Sequence, residues 1–368
     1  MNLIYISNLS NNIDAGLNWS VPASVCAQQQ YDNVLWIDLT KGAFQQHWSE
    51  VQSYHNLDEF GNNLCLNNLP KPFNKPDCVI FEGFYYISHV KFSKELLRAN
   101  IPYIIIPRGS LTALALHNGG IIKYLKKWMA HLLIFNSYIK NAKAIQYLTN
   151  EEKVESEKRY RSNSFVLPNG IKIPEVYKNT FSNDIKAIFI GRQDIYQKGI
   201  DLLLESIQEL HQELSKARFK LDIYGPPRYD VKRVTALINQ LGIEDLVINH
   251  EKGIRGIEKQ EKLLQSDIFF LTSRFEGHPM GLIEALSYGL PVFITRGANM
   301  VDEIQKNKAG WTCETTKRDI VNALRKMIQE KDQFANYGFN ARNLSKAYDW
   351  NALASIFHTK LITLLSTH

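Results

Sequence analysis

Short apolar runs alternate with longer amphipathic stretches along the chain. The runs are rich in β-branched and aromatic residues and are apolar on both faces, as are the strands of a buried parallel sheet. The amphipathic stretches predict helices between them. We predict strands at Leu3–Ser7, Val34–Leu39, Cys78–Phe81, Tyr103–Pro107, Ala144–Tyr147, Phe165–Leu167, Ile185–Ile190, Lys220–Tyr224, Leu246–Asn249, Ile268–Thr272 and Pro291–Thr295, and helices at, for example, Gly199–Leu214, Asp230–Leu241 and Ile257–Gln265. This alternation is typical of α/β proteins with parallel sheets.

A turn-rich segment interrupts the alternation once. Pro168-Asn169-Gly170 follows the sixth predicted strand, and a polar stretch comes after it. Proline and Asn-Gly mark turns, so we predict a first domain at residues 1–170, a linker at 171–184 and a second domain at 185–347. Each half is long enough for its own doubly wound, Rossmann-like sheet. Ligands of such sheets bind at the carboxyl ends of the strands, so two facing sheets would hold the active site in a cleft between them.

The composition is that of an ordinary folded protein. Of the 368 residues, 45% are apolar and 22% are charged, which excludes disordered, fibrous and collagen-like chains. The four cysteines form no C-x-x-C pair, so we expect neither a disulfide framework nor a zinc site. The start of the chain lacks the basic region of a signal peptide, and there is no apolar run of the length that spans a membrane. We therefore expect a cytoplasmic protein.

Positive charge is concentrated in the first half. The net charge is +6, but Gly83–Asn150 alone holds nine lysines and arginines against one acidic residue. Such a region indicates an anionic partner: a phospholipid, a diphosphate or a nucleic acid. Within it, His117–Tyr138 carries an apolar stripe, with Lys123, Lys126 and Lys127 off the stripe. This pattern fits a helix on an anionic membrane surface and equally a core helix whose lysines face water. No nucleic-acid reading motif accompanies the charge, so we expect no nucleic-acid partner.

Several common catalytic motifs are missing. The chain has no G-x-G dinucleotide fingerprint, no Walker A loop, no G-x-S-x-G elbow and no H-E-x-x-H metal site. There is no D-x-D pair, and the ten histidines show no close ligand spacing. We therefore expect neither a cofactor nor a metal ion.

Two cations early in the second half are candidates for binding phosphate. Arg192 follows the predicted strand Ile185–Ile190, and Lys198 precedes a helix that starts near Gly199. Arginine offers a bidentate fork and lysine a mobile point charge, and the helix N-terminus adds N–H groups and partial positive charge. Together they suit a diphosphate. The alternative is that both are solvated loop charges.

Two glutamates flank a second helix start. Glu276 precedes a helix predicted to begin near Met280 or Gly281 and to end at Gly289, and Glu284 lies one turn inside it. Carboxylates beside an anion site are suited to binding sugar hydroxyls or a developing positive charge. In the alternative interpretation, Glu276 interacts with the helix dipole and Glu284 is an exposed helix charge.

These residues carry a family resemblance. Glu276 and Glu284 enclose seven residues, the E-x7-E motif. Together with Gly191-Arg192, Lys198-Gly199 and Ala285–Val292, the motif resembles the group 1 family of retaining nucleotide-sugar glycosyltransferases of the GT-B fold, which has two facing Rossmann-like domains. Further segments similar to family elements are Val166–Gly170, Tyr103–Gly109 and Tyr348-Asp349-Trp350. The resemblance implies that a terminal helix at 348–368 crosses back to the first domain.

The resemblance also implies a role for each candidate residue. Arg192 and Lys198 would bind the donor diphosphate and neutralise the leaving group. Glu276 would contact the donor sugar near its reacting carbon, and Glu284 would bind ribose hydroxyls. The backbone amides of Met280, Gly281 and Leu282 would complete the phosphate cradle. Further donor contacts are implied for Gly16, Asn169 and Gly225. The donor would be a UDP-, GDP- or ADP-sugar, transferred without a metal ion.

The first domain departs from the family pattern. Arg108 stands where many members have a histidine, and Gly16 is single where they often have a Gly-Gly pair, so we assign no catalytic base there. Glu82 and His117 are either acceptor contacts or structural residues. The family implies a saccharide acceptor, lipid-linked, in bacterial surface polysaccharide synthesis (capsule, exopolysaccharide or lipopolysaccharide) at the inner face of the plasma membrane. The alternatives are a GT-B nucleotide-sugar epimerase and an inactive paralogue with a purely binding role.

Overall fold

The chain folds into two compact units. The computed structural model describes residues 1–9, 16–40, 51, 53–61, 63–111, 129–160, 162–227 and 230–366. The units consist of Met1–Gly170 with Trp350–His368, and of Ile171–Asp349. The segment that we predicted as a linker is part of the second unit, whereas the terminal helix is part of the first.

A parallel sheet of seven strands forms the centre of the first unit. Its strands are β1 (Asn2–Ser7), β2 (Asn33–Asp38), β3 (Tyr54–Asn56), β4 (Cys78–Glu82), β5 (Tyr103–Ile106), β6 (Ala144–Tyr147) and β7 (Ser164–Val166), and they lie in the order β3-β2-β1-β4-β5-β6-β7. Its helices are α1 (Leu17–Gln28), α2 (Ile87–Arg98), α3 (Asn136–Lys140) and α4 (Asn150–Glu157), with a π-helical turn at His131–Phe135. Leu3 and Tyr5 belong to one hydrophobic core and Ile4 and Ile6 to the other. Residues 3–6 of β1 are therefore all apolar, because successive side chains enter different cores.

A second parallel sheet of six strands organises the other unit. Its strands are β8 (Ile185–Ile190), β9 (Phe219–Tyr224), β10 (Val247–Asn249), β11 (Ile268–Leu271), β12 (Val292–Thr295) and β13 (Gly310–Cys313), in the order β10-β9-β8-β11-β12-β13. Its helices are α5 (Ile195–Lys198), α6 (Ile200–Glu209), α7 (His211–Lys216), α8 (Val231–Leu241), α9 (Gly256–Gln265), α10 (Met280–Ser287), α11 (Val301–Asn307), α12 (Lys317–Gln329) and α13 (Phe334–Ser345). Two doubly wound sheets confirm the predicted α/β, Rossmann-like fold class.

The terminal helix α14 (Trp350–Ser366) packs on the first unit. Leu353, Phe357 and Leu361 enter the core on one face of that sheet. Gly170 lets the indole of Trp350 lie against the backbone, because a Cβ there would meet the ring at 2.5 Å. In the described part of the chain, no helix combines the length and the apolar character needed to cross a bilayer.

The predicted strands are all present, with ends shifted by at most one residue. Two strands escaped prediction, β3 and β13, and both lie at a sheet edge. They are short and only partly buried, so the apolar pattern that marks central strands is missing. The helix predicted at Gly199–Leu214 is interrupted at Leu210, where α6 ends and α7 begins.

Much of the predicted basic amphipathic helix lies outside the described residues, namely its part at 117–128 with His117, Lys123, Lys126 and Lys127. In the described remainder, Phe135 is buried, whereas Met129 and Leu133 are 49% and 83% exposed. These two apolar side chains of the predicted stripe are therefore not core residues.

Candidate active site

The loops after β8, β9 and β11 meet at the carboxyl edge of the second sheet. A Cβ on Gly225, just after β9, would lie 2.5 Å from the carbonyl oxygen of Gly191, just after β8. A Cβ on Gly281 at the start of α10 would lie 3.5 Å from the carbonyl oxygen of Ile190. Gly225 therefore lets the turn after β9 approach the end of β8, whereas a Cβ at Gly281 would make only ordinary van der Waals contact there. Strand order reverses around β8, which is where doubly wound sheets bind ligands.

A kink at Gly199 joins the short helix α5 to α6. Its φ of +61° lies in the left-handed region, and a Cβ there would clash with the Thr272 carbonyl oxygen. The Thr272 hydroxyl donates to the carbonyls of Lys198 and Gly199, at 3.2 Å each. The kink therefore fixes Lys198 against the end of β11, a position that only glycine permits.

Lys198 and Glu276 form an ion pair that is largely shielded from water. The ammonium of Lys198 contacts Oε1 of Glu276, and the two side chains are 11% and 9% exposed. The Ser273 hydroxyl donates to the same carboxylate oxygen at 2.5 Å. The side-chain amide of Asn299 donates to the Glu276 carbonyl at 2.6 Å. The motifs predicted both charged residues, but Ser273 and Asn299 carry no sequence signal for this role.

Arg192 lies at the margin of this site. Its side chain is exposed, and its guanidinium donates to Oε1 of Gln197 at 3.3 Å. The side-chain amide of Gln197 in turn donates to the Phe275 carbonyl at 3.5 Å. Arg192 is thus linked to the loop that carries Glu276 indirectly, through the Gln197 side chain.

Two of the three amides predicted to cradle phosphate are engaged within the turn before α10. The amide of Met280 donates to the His278 carbonyl at 3.0 Å, and that of Leu282 donates to the Pro279 carbonyl at 2.9 Å. Neither amide is therefore directed at an external anion in this structure. Gly281 lies between them, next to the end of β8.

Glu284 is paired across to the neighbouring helix α9. The ammonium of Lys259 contacts its Oε2, and the two side chains are 23% and 28% exposed. Burial and the charge of Glu284 raise the pKa of the nearby Tyr288 hydroxyl. The sequence pattern did not predict Lys259, since only the packing of α9 brings this lysine to the motif.

The turn after β9 is built on a rigid polar base. The Gln193 side chain exchanges two hydrogen bonds with that of Asn249, at 2.7 and 3.1 Å. The rings of Tyr224 and His250 stack with centroids 4.2 Å apart. The amide of Gly225 donates to the Lys252 carbonyl at 2.9 Å, which joins this turn to the loop after β10.

The two site residues predicted in the first domain lie in the first unit. Gly16 begins α1 in an ordinary conformation with open space around it, so nothing local requires a glycine there. The side-chain oxygen of Asn169 accepts a hydrogen bond from Arg108. Arg108 also forms a bidentate pair with Glu82, at 2.8 and 3.0 Å. The Glu82 side chain is fully buried, which fits the structural alternative for this residue.

Among the described residues, no three His, Cys, Asp or Glu side chains are grouped so that they could hold a metal ion. The site therefore presents cations, carboxylates and backbone amides at one sheet edge. Such a set can bind a phosphate-containing ligand through Lys198 and hydroxyl groups through Glu276 and Glu284.

Comparison with known sequences identifies the second unit. Residues 175–344 match the family model of glycosyl transferases group 1. Over 197 residues, the chain is 29% identical to one component of the human phosphatidylinositol N-acetylglucosaminyltransferase, and the match covers 51% of this chain and 39% of that protein. It is 26% identical over 240 residues to the uncharacterized glycosyltransferase MJ1059 of Methanocaldococcus jannaschii, covering 60% and 53%. The matches thus span about half or less of these relatives' lengths.

Solved structures share the whole fold. Anabaena Alr3699/HepE in complex with UDP matches with a TM-score of 0.73 at 15% identity, over 99% of this chain and all of that one. The lipopolysaccharide outer core galactosyltransferase WaaB matches with a TM-score of 0.66 at 16% identity, over 99% of each chain. At these identities the likeness shows the fold alone, and this is the GT-B fold of two Rossmann-like domains.

Proposed function

Because residues 175–344 place this chain in the group 1 glycosyl transferase family, we propose that the protein is a retaining, metal-independent glycosyltransferase. It transfers a sugar from a nucleotide-diphosphate donor to a hydroxyl of a saccharide acceptor. The Lys198–Glu276 pair carries this proposal, since it places a cation and a carboxylate in contact beside the end of β11. Both groups are already desolvated and held by neighbouring loops, so little reorganisation is needed when a charged substrate binds.

The donor diphosphate binds between Lys198 and the start of α10, with Arg192 closing over it from the margin. Lys198 exchanges its contact with Glu276 for one with phosphate, and Glu276 then faces the donor sugar near its reacting carbon. Glu284 binds the ribose hydroxyls, oriented by Lys259. Further donor contacts within the second unit come from Gly225 and Gly281.

The reaction needs no base from the first unit. The bond between the anomeric carbon and the diphosphate oxygen breaks, and the acceptor hydroxyl oxygen bonds to that carbon on the same face. The hydroxyl proton passes to the departing diphosphate. A cation about 4 Å from a phosphate charge contributes on the order of 4 kcal/mol at an effective dielectric of ~20. Each ~1.4 kcal/mol of transition-state stabilisation increases the rate tenfold. The two cations, Lys198 and Arg192, therefore make the largest contribution to stabilising the leaving diphosphate.

The acceptor is a lipid-linked saccharide of bacterial surface polysaccharide synthesis, and the protein is cytoplasmic and peripheral at the inner face of the plasma membrane. The structural likeness to a lipopolysaccharide galactosyltransferase supports this setting. Met129 and Leu133 are exposed and belong to the same basic stretch of sequence as Lys140 and Lys143, which supports membrane contact. Binding to anionic vesicles should weaken as salt rises, and equal binding to neutral and anionic vesicles would contradict membrane recruitment.

A thermal-shift screen with UDP, GDP and ADP tests the donor class, because a ligand of the folded state raises the melting temperature by mass action. We expect one nucleotide to stabilise the protein, and one of a panel of its sugar conjugates to be hydrolysed slowly without acceptor. Absence of any shift with all three would contradict the proposed function. A shift without hydrolysis or transfer would favour the alternative of an inactive paralogue that only binds.

A further inference from the structure

Arg274, two residues before Glu276, forms an ion pair with a carboxylate in the first turn of α6. Its two terminal nitrogens donate to the two carboxylate oxygens of Asp201, at 2.7 and 2.8 Å. Parallel bidentate pairing of this kind is stronger and more directional than a single contact. The hydrogen bonds that Arg274 donates to the Asp201 carboxylate raise the pKa of its guanidinium above the ordinary value. The side chains are 20% and 28% exposed, so water screens the pair only in part.

The same arginine also holds the end of α5. Its side chain donates to the Tyr196 carbonyl at 2.8 Å, and its backbone amide donates to the Gln197 carbonyl at 2.8 Å. The guanidinium lies 4.6 Å from the centre of the Tyr196 ring. The last carbonyls of a helix receive few or no amide donors from within it, so an arginine that donates to them stabilises the helix end.

These contacts fall on both sides of the Gly199 kink. Tyr196 and Gln197 precede the kink and Asp201 follows it, while Lys198 lies at its centre. We infer that Arg274 is a positioning residue for Lys198, an inference that rests on the proposed function. Arg274 clamps the α5–α6 kink to the loop after β11, and this clamp directs the Lys198 ammonium toward Glu276 and the donor diphosphate.

The test measures binding of the nucleoside diphosphate, chosen from UDP, GDP and ADP as the one that most stabilises the wild type. Affinities are measured by calorimetry for Arg274→Ala, Arg274→Lys, Asp201→Asn, Lys198→Ala and the double variant Arg274→Ala/Lys198→Ala. Arg325→Ala is the matched control, because Arg325 pairs with Glu213 on the surface of the same unit at 3.3 Å. Melting temperatures identify any variant that fails to fold.

We expect Arg274→Ala to weaken binding about tenfold, and Arg274→Lys and Asp201→Asn to weaken it less, since each keeps part of the clamp. Arg325→Ala should bind as the wild type does. The double variant should bind no more weakly than Lys198→Ala, because a residue that acts through Lys198 has nothing left to position. Additive losses, or wild-type affinity in Arg274→Ala, would overturn the inference while leaving the proposed function intact. If the wild type binds none of the three nucleotides, the proposed function fails and this inference falls with it.

Discussion

The ammonium of Lys198 contacts the carboxylate of Glu276, although the two residues are 78 positions apart in the sequence. The family resemblance assigns these two groups to different parts of one substrate, the diphosphate and the sugar. In the structure each is the partner of the other. The site therefore holds its two central charges desolvated and paired. Under the proposed function, a bound donor would have to exchange one partner for another.

Removing one member of this pair should affect stability and activity together. Lys198→Met leaves the Glu276 carboxylate shielded from water without its cation, so we expect a stability loss of about 3 kcal/mol and at least a hundredfold lower turnover. The double variant Lys198→Met/Glu276→Gln removes both charges and should recover most of the melting temperature but none of the activity. Recovery of turnover in the double variant would contradict the catalytic roles.

Arg192 should separate the same two effects. Its side chain is exposed, so Arg192→Ala should leave the melting temperature unchanged. Because the leaving diphosphate then lacks one stabilising cation, turnover should still fall at least a hundredfold. Steady-state kinetics beside a thermal melt checks this, and near-normal turnover would refute the role assigned to Arg192.

Lys259 should matter for nucleotide binding although no motif marks it. Lys259→Ala removes the partner that orients Glu284, so we expect the donor KM to rise about tenfold with little change in kcat. Glu284→Gln should raise KM similarly. Lys262→Ala, one turn further along α9, is the control and should behave as the wild type. A KM unchanged in Lys259→Ala would show that Glu284 needs no orientation.

Gly199 and Gly242 offer a matched pair for testing the kink. Both have left-handed backbone, with φ of +61° and +64°, but only a Cβ at Gly199 meets a neighbouring backbone atom within 4 Å. Gly242→Ala should cost about 1 kcal/mol of stability, the usual penalty for that conformation. Gly199→Ala should cost several times more, measured by chemical denaturation, since Thr272 cannot move without displacing β11. Equal losses would show that the kink is not tightly packed.

His89 should make the protein sensitive to acid. It is fully buried between Phe81 and Tyr86, and burial lowers its pKa from 6.5 to about 3. The unfolded chain takes up this proton near pH 6.5 and the folded chain does not, so stability falls as pH drops below about 6.5. At pH 5 the loss is about 2 kcal/mol relative to neutral pH.

The variant His89→Phe removes this titration and should flatten the stability profile between pH 7 and pH 5. Denaturant melts at several pH values measure the difference. A parallel decline in wild type and His89→Phe would contradict the burial of a neutral imidazole at this position.

The hydrophobic pattern along the chain determined the fold class. Each central strand is apolar on both faces, as is needed only in a sheet that has a layer of helices packed on each face. Val34 and Ile190 could be placed in strands on this ground alone. The edge strands β3 and β13 could not, since an edge is buried on fewer sides and its sequence is correspondingly mixed. The motif spacing likewise located Lys198, Glu276 and Glu284 at strand ends and helix starts.

Tertiary packing alone decided which of these groups meet. Spacing along the chain predicts where a residue lies on its own helix or loop, but it does not predict which neighbouring element that residue will contact. The pairing of Glu276 with Lys198, that of Glu284 with Lys259, and the clamp of Arg274 on Asp201 all join segments far apart in sequence. These pairings depend on how helices are set against the sheet, and on glycines that let loops come close. The sequence thus determined the two sheets and the chemical types at their carboxyl edge, while three-dimensional packing decided the partners, because electrostatic contacts act over a few ångströms of space and not over positions in a chain.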